Sequence, residues 1–215
     1  SARIAARLAP LGIRVSRITA LPDDERRIAR EIRSALSRVR LLILSGGLGP
    51  TRDDLVREAL ARATGRPQRR NPAAERRIRC WFRGRAMPES NVRQADLPRG
   101  ALPLVNRTGT APGIWLVLPR GRLVIALPGV PLELVSMLEG EAVPRLAGRC
   151  RNPPATRALT VFGASEALVD EKVGALPPWV RYTITTGQGR VLLWMEGPRE
   201  KAPALDRILA RIRRS

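Results

Sequence analysis

The residues best placed to do chemistry lie in one stretch, LLILSGGLGPTRDDLVREAL, residues 41–60. An apolar run ends at Ser45, Gly46, Gly47 and Gly49 follow, and Thr51, Asp53 and Asp54 stand ahead of a helical pattern. Glycines between a strand and a helix let backbone N–H groups approach a phosphate closely, because no Cβ intervenes. Adjacent carboxylates beside such a loop supply the oxygen ligands of a hard cation such as magnesium, which would offset repulsion between carboxylate and phosphate. Neither signal is specific alone. The loop lacks the lysine of a P-loop and does not complete GxGxxG, so a plain tight turn is the competing explanation of the glycines. Thr51 and Asp54 also fit the capping pattern [ST]xx[DE]. A cap needs one oxygen, and two adjacent carboxylates exceed that need.

Two further stretches bend where strands begin or end: NRTGTAPG, residues 106–113, and LPGVPLE, residues 127–133. Singly, each reads as ordinary loop chemistry. Three Gly/Pro loops framing one sheet are more than turns require. With no histidine in 215 residues, Ser-His-Asp and Cys-His nucleophiles and histidine metal sites are excluded. Chemistry must then use carboxylates, hydroxyls, arginines, backbone N–H groups and a borrowed ion. Cys80 and Cys150 are too few for a disulfide framework and form no CxxC pair.

The elements that must position these loops follow from periodicity. A helix is expected over residues 1–12, stopping at Gly12, then an alternating strand over 13–18, and then a helix capped by Asp23 with Ile28, Ile32, Leu36 and Val39 on its buried side. RLLILS reads as a strand buried on both faces of a parallel sheet. A helix from about Asp53 ends before Gly65, and another starts at the Asn71-Pro72 cap. MPESNVRQADLP is a short amphipathic piece between prolines. ALPLV, IWLVL and RLVIAL follow as strands, and a proline-started helix comes after Pro128-Gly129. The alternation predicts an α/β three-layer sandwich with a mostly parallel sheet over residues 1–147. Residues 148–154 read as a charged, proline-rich linker. Residues 155–215 then run β-α-β-β-α, a small α+β unit.

The segments LSGGLGPTRDD, MPESNVRQA, NRTGTAPG and ALPGVPLEL, in that order and spacing, resemble the CinA family (competence/damage-inducible protein A). The resemblance covers the whole chain. It implies a molybdopterin-binding-like domain, akin to MoaB and MogA, followed by a KH-like domain. The chain opens directly in a helix, so the family's first strand and its Gly-Asp/Thr-Glu-Leu-Leu motif are expected to be missing. No counterpart of the family's nicotinamide-mononucleotide deamidase domain is expected before Ser215.

What the resemblance implies is metal-dependent hydrolysis of a nucleotide pyrophosphate, ADP-ribose to AMP and ribose 5-phosphate, or else a nucleotide- or molybdopterin-binding module without turnover. Asp54 first and Asp53 second would be catalytic and metal-holding. Ser45, Gly46, Gly47, Gly49, Thr51, Asn91, Gly109, Thr110, Pro112, Gly113, Pro128, Gly129 and Glu133 would bind substrate. The expected cofactor is a divalent ion (magnesium, manganese or cobalt), with potassium as a further candidate. A homo-oligomer in the cytoplasm is expected, with a nucleotide as small-molecule partner. No membrane contact is expected, because no apolar run approaches the roughly 20 residues a bilayer needs.

The formal charge is +20, and lysine occurs only at Lys172 and Lys201. Such a surplus attracts polyanions. The arginines are scattered rather than blocked, however, and aromatics are 3% of the chain, too few for base-stacking platforms. In the KH-like unit the turn TTGQGR sets Gly187 and Gly189 one residue apart, so the GxxG clamp is absent. Nucleic acid is therefore not expected as a partner.

Overall fold

The computed structural model describes residues 2–150, 152–187 and 189–214, so Arg151 of the expected linker and Gln188 of the TTGQGR turn lie outside the described residues. The chain packs as two units. One is Arg17–Arg145; the other joins the residues up to Ser16 with those from Leu146 onward. The opening helix α1 (Ala2–Leu8) packs with the later unit. A Cβ on Gly12 would touch Pro154 Cδ at 2.7 Å, and Arg14 donates to Glu196 Oε1 at 2.8 Å, which is what ties this segment there. The described residues of 148–154 pack with the same unit.

The alternating stretch over 13–18 forms no strand. Alternation gives a segment two faces, but a strand also needs a hydrogen-bonded neighbour, and Val15 and Ile18 stay exposed. Helix α2 (Glu25–Arg38) is capped by Asp24, whose Oδ1 accepts the Arg27 N–H at 2.7 Å, one residue later than the sequence pattern places the cap. Ile28, Ala29, Ile32 and Leu36 form its buried stripe, while Val39 falls just outside the helix. Strand β1 (Leu41–Ser45) leads to the glycine loop. Helix α3 begins only at Val56 and runs to Thr64, ending on a left-handed Gly65. A short pair, β2 (Gln68–Arg70) with β3 (Asp96–Pro98), encloses α4 (Pro72–Trp81) and the 3-10 segment Glu89–Ala95. Three residues per strand are too short for alternation to reveal.

The main sheet has the order β1-β6-β5-β4, with β4 (Leu102–Leu104), β5 (Gly113–Val117) and β6 (Leu123–Leu127). The parallel relation is held by β1 and β6; β6–β5 and β5–β4 are antiparallel, as their short connections require. Among the described residues β1 has a neighbour on one side only, so its leucines are half-buried rather than enclosed on both faces. Ile114, Leu116, Val124 and Ala126 pack beneath α2 and α3, with Ala59 and Leu60 fully buried. Each such fully buried large aliphatic contributes roughly 1.5–3 kcal/mol. Gly113 and Trp115 point to the opposite face. A Cβ on Gly113 would overlap Met137 Sδ of α5 (Pro131–Met137), and Arg145 lies 5.9 Å from the Trp115 ring. Helices therefore cover both faces, giving three layers. A π turn at Leu138–Ala142 joins α5 to α6 (Val143–Ala147).

The other unit has an antiparallel sheet ordered β7-β9-β8, from β7 (Ala155–Phe162), β8 (Arg181–Gly187) and β9 (Arg190–Gly197). Helix α7 (Glu166–Val173), capped by Ser165, and α8 (Ala202–Arg214) bury Val169, Val173, Leu205 and Ile212 against Val191, Leu193 and Met195. The β-α-β-β-α order is the one the sequence predicts. No helix of the described residues is long and apolar enough to cross a membrane.

Candidate functional site

Because β1 and β6 are parallel, the loops after both leave the same end of the sheet; β5 is antiparallel to β6, so the loop before it arrives there too. The glycine loop is pinned at both ends. Gly46 N–H donates to Leu127 O at 3.0 Å, and Val56 N–H donates to Gly47 O at 3.1 Å. Gly46 and Gly47 have φ of 97° and 64°, a region L side chains rarely adopt. Between the pins, the amides of Gly47, Leu48 and Gly49 meet no acceptor among the described residues. Successive free N–H groups in a loop are the donors from which anion-binding concavities are built. Ser45 ends β1 exposed, while the Leu48 side chain is buried.

Asp54 does not cap α3. Leu55 occupies the cap position, without a side-chain hydrogen bond. Instead the Asp54 carboxylate folds back against Gly49, where a Cβ would overlap it, and Oδ2 accepts from Thr51 N at 2.9 Å. That is half of a capping box closed around the turn Thr51–Asp54 rather than around a helix. The Thr51 hydroxyl lies 2.5 Å from both Asp53 Oδ1 and Asp54 Oδ2, yet its single proton serves one of them. The Thr51 hydroxyl and Asp53's own amide hold the Asp53 carboxyl below its usual pKa. Among the described residues no three acidic or cysteine side chains cluster around one point.

The other two loops meet this one. A Cβ on Gly129 would stand 3.2 Å from Gly46 Cα, so the β6–α5 connection touches the glycine loop directly. Glu133, in the first turn of α5, packs its carboxylate on Gly109 and accepts from Asn106 Nδ2 at 2.7 Å. Asn106 also donates to Ala111 O at 2.9 Å and accepts from Thr108 N, so one side chain fixes the whole 106–111 bend. Thr110 is half-buried in that bend, and Pro112 and Pro128 are buried where the two loops enter the sheet. Gly113 packs in the core under α5. Asn91 is buried in the 3-10 segment, with polar contacts to Gln94 within it and to Pro88 just before it.

Two residues that the sequence pattern passes over matter here. Asn106 opens the NRTGTAPG motif, so its signal was present. Arg57 lies inside a helical pattern, where an arginine reads as solvated; in the fold it is 1% exposed and donates to Leu48 O and, at 3.0 Å, to Gly49 O.

Such a domain, with an α/β core and glycine loops gathered at one end of its sheet, matches the family described as "Probable molybdopterin binding domain" over residues 1–148. A CinA-like protein of Frankia casuarinae is 41% identical over 203 residues, covering 86% of this chain and 46% of its own length. One from Desulfosudis oleivorans is 42% identical over 192 residues, with 86% and 46% covered. The crystal structure of the protein CinA from Thermoplasma acidophilum superposes with a TM-score of 0.63 at 34% identity, covering 67% of this chain and 85% of that one. The chain belongs to the CinA-like proteins of the molybdopterin-binding-domain family. It spans about half the length of the curated relatives it matches.

Proposed function

We propose that this chain is a metal-assisted nucleotide pyrophosphatase that hydrolyses ADP-ribose to AMP and ribose 5-phosphate. The observation that carries the reading is the row of free amides at Gly47, Leu48 and Gly49 beside the Asp53–Thr51–Asp54 cluster. The donor set suits a hard cation, since two adjacent carboxylates share one hydroxyl proton and offer further oxygen lone pairs. Asp54 and Asp53 would hold magnesium, manganese or cobalt, with phosphate oxygens and water completing the shell; potassium is a further candidate. When bound, such an ion supplies polarisation of a phosphoryl oxygen and activation of water.

The chain's own part is binding and charge. The loop amides take the non-bridging oxygens and the charge that grows on them as water adds to one phosphorus and the bridging P–O bond breaks. Gly129 closes one wall, and Asn106 holds Glu133 and the Gly109-Thr110 bend as the other. The β-α-β-β-α unit is KH-like in element order and, without a GxxG clamp, takes no part in this chemistry.

A second reading, a nucleotide or pterin binder without turnover, is favoured by both Asp54 contacts returning to Thr51, which gives that carboxylate a structural task. Asp54→Asn separates the two. The amide is nearly isosteric and keeps an acceptor for Thr51 N, so the variant folds and binds ADP-ribose. Loss of a charged ligand from a hard cation lowers turnover by about a hundredfold or more, with Asp53→Asn milder. Chromatography of AMP release with each of the three metals reads this out. Equal turnover in Asp54→Asn and the unaltered protein would leave only the binder.

A further inference from the structure

Among the described residues, Arg57 is the only charged side chain in the buried set. A guanidinium removed from water is costly unless its donors find acceptors. Here it donates to Leu48 O and Gly49 O, while its Nε has no partner and burial pushes its pKa down. The carboxylate within ion-pair distance is Glu58, 4.0 Å from Nη2, with Asp54 and Asp96 acting on the guanidinium from farther off, and Glu58 itself accepts from Arg93 at 3.1 Å. An arginine held for packing or ion pairing would end on that carboxylate. This one ends on two successive carbonyls of the glycine loop.

We infer that Arg57 is a positioning residue for the anion cradle: by drawing the Leu48 carbonyl inward it turns the Gly49 N–H outward toward the phosphate. The peptide between Leu48 and Gly49 is trans and planar, so its C=O and N–H point in opposite directions. Gly49 O belongs to the peptide with Pro50, which has no N–H, so its capture holds the loop without spending a donor. The positive charge beneath the loop also favours an anion above it. Arg93 shares Glu58 with the guanidinium and holds it at the shorter distance, which gives the 3-10 segment Glu89–Ala95 a link to the site through Arg93 rather than Asn91.

The inference rests on the phosphate reading of the loop, and the test separates the two. In ligand-free protein, the Gly49 amide resonance and its hydrogen exchange are compared between wild type and Arg57→Met, which keeps the buried stem and removes both donors. A shifted resonance and altered exchange are expected. Unchanged values would overturn the inference whatever the ligand. Titration with ADP-ribose and with adenosine then reads the consequence: Arg57→Met weakens ADP-ribose by about tenfold, the scale of one charge-assisted bond, and leaves adenosine unchanged. Equal loss for both ligands would mean general damage and would also overturn it. Should Arg57→Met not fold, Arg57→Lys serves, since one ammonium on a flexible stem fits the two carbonyls less well and gives a smaller change of the same kind. If wild type ignores ADP-ribose, the nucleotide reading fails while the Gly49 comparison still decides the role of Arg57.

Discussion

At Gly47 the demands of backbone and packing coincide. Its φ of 64° is left-handed, and a Cβ would stand 2.7 Å from Val56 Cγ2 at the start of α3. Gly47→Ala therefore strains the fold before any ligand arrives, by about 1–3 kcal/mol, read as a lowered midpoint in urea unfolding. An unchanged midpoint would mean that the loop relaxes freely and is no rigid cradle. The consequence for function is practical. Substitution at Gly47 confounds binding with stability, whereas Asp54→Asn and Arg57→Met change charge and donors at nearly constant shape. The same economy explains Thr51, whose amide and hydroxyl both face Asp54 Oδ2 and so orient that carboxylate without help from a helix end.

Between elements, the 106–111 bend depends on Asn106, which reaches Glu133 across 27 residues of sequence as well as Ala111 and Thr108 nearby. Asn106→Ala frees the loop from α5. Hydrogen–deuterium exchange over residues 105–112 should rise, with the β5 and β6 amides unaffected; protection equal to wild type would assign the order to Pro112 packing instead. Such contacts mark what a sequence conveys and what it withholds. The glycine, proline and cap signals around Gly46, Asn71 and Gly109 were legible because their causes are local. The stripe of α2 was legible to one residue, since Asp23 and Asp24 are chemically equivalent candidates and only the chain path selects Asp24. The expected start of α3 at Asp53 missed because the carboxylate finds Thr51 within the turn, and no spacing distinguishes that from a cap. The strand expected over 13–18 and the burial of Arg57 both depend on long-range neighbours, which periodicity does not contain.

Across the whole molecule, cationic side chains outnumber carboxylates by 20. Arg26, Arg30 and Arg33 lie on one face of α2 and, with Asp24 and Arg62, line an open groove of about 480 Å³. Arg62 is already paired with Glu25 at 2.6 Å, whereas the three α2 arginines have no carboxylate partner among the described residues. This groove is a candidate surface for a polyanion, and its size limits the effect. Three arginines meeting three phosphates of a single strand give a log–log salt slope of about −2, since each contact contributes about −0.7. No aromatic side chain lines the groove to stack a base, so little affinity would survive screening. Binding of a generic single-stranded RNA should thus be measurable at low salt and vanish by about 150 mM, where surface charges are largely screened. Replacing Arg26, Arg30 and Arg33 together with glutamine should flatten the slope and, on the proposed reading in which the loop amides take the phosphates, leave ADP-ribose affinity untouched. Submicromolar RNA affinity that persists at that salt and resists competitor would instead make the basic surface a working nucleic-acid interface, beside whatever ligand the glycine loop takes.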